Sequence, residues 1–407
     1  MPLNFNPLPF VLKRNTAAAP DAAYGERQAA VLDANGLARA RQCISAWPGY
    51  APTPLVSLPG LAAELDLGAI YYKQEADRFS LRSFKPLGGA YAVQRCLMRV
   101  VGEKLDREVL PEEILNRQHD DIVSKVTVTA ATDGNHGRSV AWGAKMFGCG
   151  CVIYINESVT ETREKAIAAY GAEVRRNPGS YDDAIRKAFE TASLEKWHVI
   201  PDTTGGDIID APRDVTQGYA VLAAEAIGQL PHGAPPSHMF LQAGVGGMAS
   251  AVSAQFWQAF GAARPTTILV EPEQSACWFK SLENGKPSIV TGNVDSFMSG
   301  LACGEISKLA WEILHHGADA ALAIKDDTAK TAMRILARGC GDDPRLVGGE
   351  SGVAGLAGLM TCALDKNARQ TLALDASSRV FLVGSEGATD EEMYRQVVGM
   401  PWQEVAT

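Results

Sequence analysis

Short apolar runs alternate with longer amphipathic segments through most of the chain. Apolar runs bounded by glycine, proline or polar residues are typical of strands. They lie at 70–73, 125–130, 151–155, 173–175, 197–200, 238–242, 267–270 and 379–383. Segments with the helical period lie between or beside them, at 21–41, 88–103, 136–147, 160–170, 181–196, 215–227 and 247–260. This alternation predicts an α/β protein with mostly parallel, twisted sheets.

Two irregular segments interrupt the alternation. Residues 201–214 are rich in Gly, Asp and Pro and predict a loop, and we interpret the break at 231–236 as a domain crossing. A chain of 407 residues also favours two domains, because single hydrophobic cores stop growing at about 250–300 residues. We predict two open α/β domains, a larger one from residues 1–90 and 228–407 and a smaller one from residues 91–227.

The composition is that of a globular protein, with 46% hydrophobic residues, 21% charged residues and a formal net charge of -9. Since no basic block stands out, the chain lacks the Lys and Arg footprint that nucleic-acid binding requires. No apolar run approaches the ~18 residues of a membrane span, and the first ten residues do not have the pattern of a signal peptide. We therefore expect neither nucleic acid nor a membrane as a partner.

Eight cysteines are scattered along the chain, with neither a Cys-x-x-Cys pair nor a Cys/His cluster. This spacing argues against a disulfide framework and against a structural metal site, so we expect no metal and a reducing, cytoplasmic environment. Cys277 and Cys303 both lie in loop-like sequence, and their pairing stays open.

One lysine stands where a helix begins. Within Ser80–Ala90, Lys85 lies between Phe84 and Pro86 and is followed by small residues. Ser83 suits the N-cap, and proline is tolerated in the first turn. An amine that is desolvated near an aromatic ring and a positive helix end loses its proton more readily, and an unprotonated amine can form a Schiff base. The alternative is a surface lysine without a chemical role.

The first of three further loops of interest covers residues 131–137, after a strand and at the start of a helix. Asp133 and Asn135 are good turn and cap residues. The N-terminus of a helix also attracts a carboxylate or a phosphate, and Asp133 would be a titratable group in such a cleft. A plain strand-to-helix turn is the alternative, and we assign His136 no chemistry.

The second loop also joins a strand to a helix, and glycines there let backbone N–H groups surround a phosphate. It contains Gly244, Val245, Gly246, Gly247 and Met248. The same segment fits G-x-G-x-x-A, and Glu271 ends the next strand, as in dinucleotide-binding units. NAD binding therefore stays open as an alternative, although it explains neither the lysine stretch nor the Asn135 loop.

The third loop, residues 384–390, follows the last predicted strand. Its Ser385 caps a helix or, at the carboxyl edge of a sheet, reaches a ring nitrogen with its hydroxyl, and both roles are compatible. A further glycine-rich turn at 348–352 carries Glu350, which we expect to face the same cleft and to which we assign no chemistry.

Taken together, these loops resemble the fold-type II family of pyridoxal phosphate enzymes, the group of tryptophan synthase β, threonine deaminase and serine racemase. The resemblance runs from about residue 53 to the end of the chain and rests on the order of five motifs. These are Ser83-Phe84-Lys85, Gly134-Asn135-His136-Gly137, Gly244-Val245-Gly246-Gly247-Met248, Glu350-Ser351-Gly352 and Ser385. Within the family, the segments around Lys85 and Asp133 are similar to those of the diaminopropionate ammonia-lyases.

The resemblance implies roles by position. Lys85 would hold pyridoxal 5'-phosphate covalently and act as a base at Cα, Phe84 would flank the ring, and Asn135 would bond its 3′-oxygen. Residues 244–248 would bind the phosphate, and Ser385 would face the pyridine nitrogen. A serine does not require that nitrogen to be charged, which implies a weaker electron sink and favours loss of a β-leaving group.

Two acids complete the implied site. Asp133, where many family members carry serine, would handle the substrate's β-amino group or act as a second acid/base, and Asp202 matches another acidic position of the lyases. After Asp202 the chain departs from the implied pattern, because Thr204–Asp210 replaces an aromatic and acidic stretch. This departure leaves the substrate open.

The implied function is the α,β-elimination of an amino-acid substrate, 2,3-diaminopropionate, to pyruvate and ammonia by a homodimer. Two alternatives stay open. One is a pyridoxal phosphate-dependent dehydratase or ammonia-lyase that acts on serine, threonine or hydroxyaspartate, and the other is a non-catalytic member that binds amino acids.

Overall fold

The structure is a computed structural model that describes residues 5–132, 134–157, 159–179, 181–204 and 208–405. The chain divides into two compact units. Unit 1 comprises residues 1–31, 52–83 and 222–407, and unit 2 comprises residues 32–51 and 84–221.

Parallel sheets with intervening helices form both units, so the predicted α/β class with mostly parallel sheets is confirmed. The strands are β1 (Val11–Arg14), β2 (Leu55–Ser57), β3 (Ala69–Gln74), β4 (Thr127–Ala131), β5 (Gly150–Asn156), β6 (Glu173–Asn177), β7 (His198–Val199), β8 (His238–Gln242), β9 (Thr266–Pro272), β10 (Ala320–Ile324) and β11 (Arg379–Gly384).

The helices of the first half of the chain are α1 (Glu26–Ala29), α2 (Ala34–Ser45), α3 (Pro59–Glu64), α4 (Pro86–Leu105), α5 (Pro111–Leu115), α6 (Asp120–Val123), α7 (Asn135–Phe147), α8 (Glu161–Ala168), α9 (Tyr181–Glu195) and α10 (Asp210–Gln229). Those of the second half are α11 (Gly247–Phe260), α12 (Cys277–Asn284), α13 (Lys308–Gly317), α14 (Asp326–Arg338), α15 (Ala354–Leu364), α16 (Lys366–Leu372) and α17 (Glu391–Val398).

Unit 1 is built on a sheet whose strand order is β1-β10-β9-β8-β11-β3-β2 in the described residues. The central strands are parallel, and the two edge strands run antiparallel to their neighbours. Helix α15 packs closely on this sheet because it has glycines at the contact: a Cβ at Gly355 would lie 2.4 Å from the carbonyl oxygen of Phe240. Since β8 and β11 are parallel neighbours, the loops that follow them lie at the same edge of the sheet.

Unit 2 has a parallel sheet with the order β6-β5-β4-β7 in the described residues. Residues 32–51 belong to this unit, although our predicted boundaries did not separate them from residues 1–90. Tertiary packing contributes to this assignment, since Trp47 donates a 2.9 Å hydrogen bond to Gln94 and packs edge-on against Trp142.

The predicted elements differ from the observed ones where local pattern is weak. The segment 21–41 forms two helices, α1 and α2, and α10 begins at Asp210 inside the predicted 201–214 loop. Pro212 is compatible with this start, because backbone N–H groups in the first turn of a helix have no acceptor within the helix, and proline lacks only that group. Strand β10 was not predicted, since alanine has little preference for strands and Ala320–Ile324 is rich in it.

Candidate active site

The segment that leads to the lysine has an unusual backbone. After β3, the residues Phe79, Ser80 and Arg82 have φ values of 51°, 59° and 56°, in the left-handed region. Each such non-glycine residue costs about 1–2 kcal/mol. Strain of this kind persists only where surrounding structure enforces it, and it is concentrated at functional sites.

A buried ion network in unit 1 holds this segment. Arg78 donates hydrogen bonds to the carboxylates of both Glu75 and Glu225. The Lys73 ammonium bonds Glu225 at 2.7 Å and the carbonyl oxygen of Thr53 at 2.6 Å. The network balances two positive charges against two negative ones, which is the condition under which buried charges are tolerated.

Our prediction that Ser83 caps the lysine helix was wrong. Lys85 occupies the N-cap position of α4, and no side chain caps the helix there. Ser83 instead forms a β-bridge with Glu386, and the Gly387 N–H donates a 2.9 Å bond to the Arg82 carbonyl. Within unit 1, Arg82 and Ser83 are therefore bonded to the residues that directly follow Ser385.

Lys85 is partly buried in unit 2, between aromatic rings and an acid. Its Nζ lies 2.8 Å from Oδ2 of Asp202, 5.5 Å from the Phe84 ring centroid and 5.9 Å from that of Tyr219. The Phe84 and Tyr219 rings are 4.6 Å apart. Gly88 makes room for the tyrosine, since a Cβ there would lie 2.4 Å from the Tyr219 ring. The structure thus brings together Phe84, Lys85 and Asp202, and adds Tyr219.

The predicted lowering of the Lys85 pKa was wrong for this state of the protein. Burial alone would lower the pKa of the ammonium, but the Asp202 carboxylate, with help from Tyr219, raises it above the ordinary lysine value. Burial would likewise raise the pKa of Asp202, but the Lys85 ammonium and His136 lower it below its ordinary value. The two groups therefore form an ion pair in the free protein.

Asn135 and His136 begin helix α7 in the same unit. His136 is buried, and its Nε2 lies 2.7 Å from the carbonyl oxygen of Ile200, close to the strand end that precedes Asp202. The Asn135 amide oxygen accepts a 3.3 Å bond from Arg138. Asp133, the acid that we predicted here, lies outside the described residues.

The glycine loop of unit 1 joins β8 to α11. Gly246 has a φ of 98°, and a Cβ at this position would lie 2.3 Å from the Trp278 ring. The Trp278 indole N–H donates a 2.9 Å bond to the Gly244 carbonyl, and the Ser307 N–H bonds the Val245 carbonyl. These two hydrogen bonds fix the orientation of the Gly244 and Val245 carbonyl groups. Helix α11 begins at Gly247, and the first N–H groups of a helix have no acceptor within it.

Glu271, the acid that would complete a dinucleotide site, is bonded to the backbone of a neighbouring helix. Glu271 is fully buried, and its carboxylate accepts 2.8 Å bonds from the backbone N–H groups of Trp278 and Phe279. Burial raises the pKa of Glu271 to about 8, although these bonds act in the opposite direction. A side chain that caps α12 in this way does not face a ribose, so the geometry argues against NAD binding.

Ser385 follows β11 and is buried beside the start of the glycine loop. Its Oγ accepts a 2.8 Å hydrogen bond from Nε2 of Gln242, the last residue of β8. Glu350 is also buried, and its Oε1 lies 3.4 Å from the Ser299 hydroxyl. In unit 1, the glycine loop, Ser385 and Glu350 thus lie at one edge of the sheet.

Cys277 and Cys303, whose pairing the sequence left open, lie close to the glycine loop. The sulfur atoms of Cys277 and Cys303 are 4.0 Å apart, and both residues are free thiols in the structure.

Sequence reasoning missed Tyr219, Gln242 and the Glu225 network. Tyr219 and Glu225 lie in the predicted helix that became α10, and neither belongs to a motif. Gln242 directly precedes the glycine loop, and that position was the one available signal for it. Their partners are distant in sequence, so only the fold brings them together.

The glycine at position 246 provides a test of the loop geometry. We expect Gly246→Ala to destabilise the protein by about 2–5 kcal/mol, because a left-handed alanine is strained and its methyl group overlaps Trp278. Gly285→Ala is the matched control, since Gly285 also has a positive φ, of 65°, but nothing lies within 4 Å of its Cβ position. The shift of the denaturation midpoint measures both, and equal shifts would contradict the described contact.

Comparison with known proteins gives one consistent result. The family profile "Pyridoxal-phosphate dependent enzyme" matches residues 46–385. The chain is 38% identical over 364 residues to the diaminopropionate ammonia-lyase of Escherichia coli K12, which covers 88% of this chain and 90% of that protein.

Solved structures agree with the sequence match. A crystal structure of the Escherichia coli diaminopropionate ammonia lyase in complex with D-serine superposes with a TM-score of 0.87 at 34% identity, over 98% of each chain. A second structure of that enzyme, in complex with an aminoacrylate-PLP azomethine reaction intermediate, has a TM-score of 0.84 at 33% identity, again over 98% of each chain.

Proposed function

Because the chain belongs to the pyridoxal-phosphate dependent enzyme family, with the fold-type II architecture that the sequence predicted, we propose that it is a diaminopropionate ammonia-lyase. The reaction is the elimination of ammonia from 2,3-diaminopropionate, and addition of one water molecule then yields pyruvate and a second ammonia. The observation that carries the proposal is the pair formed by Lys85 and Asp202, whose charged atoms are 2.8 Å apart. This pair supports the proposal, because a candidate base and a candidate acid lie within hydrogen-bond distance of each other.

The residues present fit pyridoxal 5'-phosphate. The cofactor supplies an aldehyde that binds an amine covalently and a ring that withdraws electrons from the substrate's Cα. We propose that Lys85 of unit 2 provides the amine, that Phe84 flanks the ring and that Asn135 bonds its 3′-oxygen. In unit 1, the N–H groups of 244–248 suit the phosphate, because helix N-termini and glycine loops bind anions. Ser385 has a hydroxyl that suits the pyridine nitrogen.

Chain connectivity supports this division of roles. The segment that carries Phe84 and Lys85 leaves unit 1 at Ser83, and Ser83 pairs with Glu386, the neighbour of Ser385. Within unit 1, Ser83, which precedes Phe84 and Lys85 in the sequence, therefore lies next to the segment that carries Ser385.

Lys85 and Asp202 have complementary proton-transfer roles in this proposal. As a free amine, Lys85 would remove the proton from the substrate's Cα. Asp202 is held ionised by the Lys85 ammonium, while burial favours its protonated form. Loss of the positive charge on Lys85 therefore raises the pKa of Asp202, and a protonated Asp202 can give its proton to the departing β-amino group. Asp133, outside the described residues, is proposed as a second acid/base.

The effect of Asp202 on the pKa of Lys85 can be measured from the pH dependence of cofactor attachment. An amine attacks an aldehyde only when it is unprotonated, so the rate of covalent cofactor attachment rises with pH. Asp202 raises the pKa of Lys85 in the free protein, and burial lowers it. We therefore expect Asp202→Asn to move the midpoint of this pH profile down by about 1–3 units.

Asp202→Glu is the control for this measurement, because it keeps the negative charge and should retain the high midpoint. Stopped-flow absorbance of the apoprotein mixed with pyridoxal phosphate gives the profiles. An unchanged midpoint in Asp202→Asn would show that the ion pair does not control the amine.

A hydroxy amino acid is the second candidate substrate. The chain departs from the lyase pattern after Asp202, and one structure of the Escherichia coli enzyme contains D-serine. A serine, threonine or hydroxyaspartate dehydratase would use the same lysine but release hydroxide as water in place of the β-amine. A non-catalytic member would bind the cofactor and turn over none of these compounds.

Product stoichiometry separates the candidates. The holoenzyme is incubated with both enantiomers of 2,3-diaminopropionate, serine and threonine, and keto acid and ammonia are measured. An ammonia-lyase releases two ammonia molecules per pyruvate from diaminopropionate, whereas serine yields one. Turnover confined to the hydroxy amino acids would make the protein a dehydratase, and a colourless protein without covalent cofactor would refute the family-based proposal.

Assembly and location follow the resemblance as further proposals. Among the described residues, no helix combines the length and the apolar character that crossing a bilayer demands. We propose a homodimer that acts in the cytoplasm on a free amino acid. Sedimentation velocity of the holoenzyme at several concentrations tests the dimer, and a single monomeric species throughout would refute it.

A further inference from the structure

One buried amide at the edge of the unit 1 sheet has an unusual set of partners. Nε2 of Gln242 donates hydrogen bonds to the Val383 carbonyl at 2.8 Å, to the Ser385 hydroxyl at 2.8 Å and to the Gly352 carbonyl at 3.4 Å. The exposed fractions of Gln242 and Ser385 are 3% and 4%. Bulk water therefore does not compete for these contacts.

The orientation of this amide is fixed by its neighbours. The carbonyl oxygens of Val383 and Gly352 only accept hydrogen bonds, so the side of the amide that faces them must be the N–H side. Turning the amide over would place oxygen against oxygen. The molecule keeps the observed orientation even though the Gln242 Oε1 atom finds no hydrogen-bond partner among the described residues.

The fixed amide determines the direction of the hydrogen bond to Ser385. Because Gln242 presents an N–H group, the serine oxygen must accept, and its own hydroxyl proton must point elsewhere. Within the part of the chain that the structure describes, no group accepts that proton. A buried hydroxyl with an unused donor is costly unless a ligand supplies an acceptor.

We propose that Gln242 is a positioning residue that turns the Ser385 hydroxyl into an obligate donor toward the pyridine nitrogen of the cofactor. This inference rests on the proposed function, since it concerns the same bound cofactor. An uncharged pyridine nitrogen accepts the proton of Ser385. A protonated ring nitrogen would compete as a donor and leave the serine proton without an acceptor, so Gln242 keeps the ring uncharged.

The consequence is a choice of reaction. An uncharged ring is a weaker electron sink than a protonated one, which suits departure of a β-leaving group and disfavours side reactions that need a long-lived carbanion. Gln242 would thus favour elimination without touching substrate or cofactor.

The test uses a ligand-binding readout and a spectroscopic readout. Apoprotein is reconstituted with pyridoxal phosphate that carries ¹⁵N in the ring, and the ¹⁵N chemical shift reports protonation. The wild type is expected to show the unprotonated value at neutral pH. Gln242→Met removes the donor at similar volume, and its ring resonance is expected to move toward the protonated value.

A double-mutant cycle tests whether the two residues act together. Ser385→Ala and Gln242→Met are each expected to weaken cofactor binding by about 2–12-fold, the range of one hydrogen bond. If Gln242 acts through Ser385, the double variant is expected to bind no more weakly than Ser385→Ala alone. Multiplicative losses in the double variant would overturn the proposal.

Gln74→Met is the matched control. Gln74 is also a buried glutamine of the same sheet whose Nε2 donates to a backbone carbonyl, that of Val347, but no serine of the described residues is bonded to it. It is expected to leave the ¹⁵N shift unchanged. A protonated ring in the wild type would overturn the proposal without any variant, whereas a protein that binds no cofactor would instead refute the proposed function.

Discussion

Replacement of Lys85 by alanine is expected to abolish the covalent, borohydride-reducible cofactor bond and to lower elimination activity by at least about 1000-fold. Both effects have the same cause in our proposal, in which the Lys85 amine attaches the cofactor and removes the Cα proton. A positioned general base alone contributes about 10²–10⁴-fold. Absorbance of the cofactor and pyruvate release measure the two effects on one sample.

The variant Lys85→Arg separates chemistry from charge. It keeps a cation beside Asp202 but offers no amine that can bind the aldehyde. We expect it to be as inactive as Lys85→Ala while leaving the acid paired. Substantial activity in either variant, with covalent cofactor still present, would mean that another lysine carries the cofactor.

The second large effect is on stability. We expect Glu225→Ala to lower the free energy of unfolding by about 3–5 kcal/mol, because it removes one of two negative charges from a buried network and leaves Lys73 and Arg78 with Glu75 alone. The exposed fractions of the Lys73 and Arg78 side chains are 0% and 1%, so water cannot replace the lost carboxylate.

Thermal and urea denaturation of the apoprotein measure this loss. Glu161→Ala is the control, since the Glu161–Lys165 pair is mostly exposed and is expected to contribute no measurable shift of the midpoint. A shift for Glu225→Ala as small as that of the control would show that the network is not needed. We also expect the variant to lose cofactor affinity, because Glu225 binds Arg78, the residue directly before the left-handed residues that lead to Lys85.

Much of the fold was accessible from the apolar pattern. Strands such as β4, β8 and β11 are short apolar runs in front of glycine-containing turns, and that local signal suffices. Strand β10 was not accessible because its alanines have no strand preference, and only its place between β1 and β9 makes it a strand. The capping role assigned to Ser83 failed for a similar reason, since a long-range bridge to Glu386 takes precedence over a local cap.

The sequence could predict those parts of the candidate site that lie in motifs. Lys85, the glycine loop and Ser385 each stand at a strand or helix end, where the sequence itself marks the position. The charge state of Lys85 was not accessible, because the carboxylate that raises its pKa comes from Asp202, far along the chain. The donor direction of Ser385 depends in the same way on Gln242, which only the neighbouring strands bring into contact.

The central claim is that the amine of Lys85 carries the cofactor. The most direct measurement is peptide mass spectrometry of the holoenzyme after borohydride reduction and proteolysis. The expected result is a single pyridoxyl adduct on the peptide that contains Lys85, at that residue. An adduct on a different lysine, or no adduct in a protein that is otherwise active, would contradict the account.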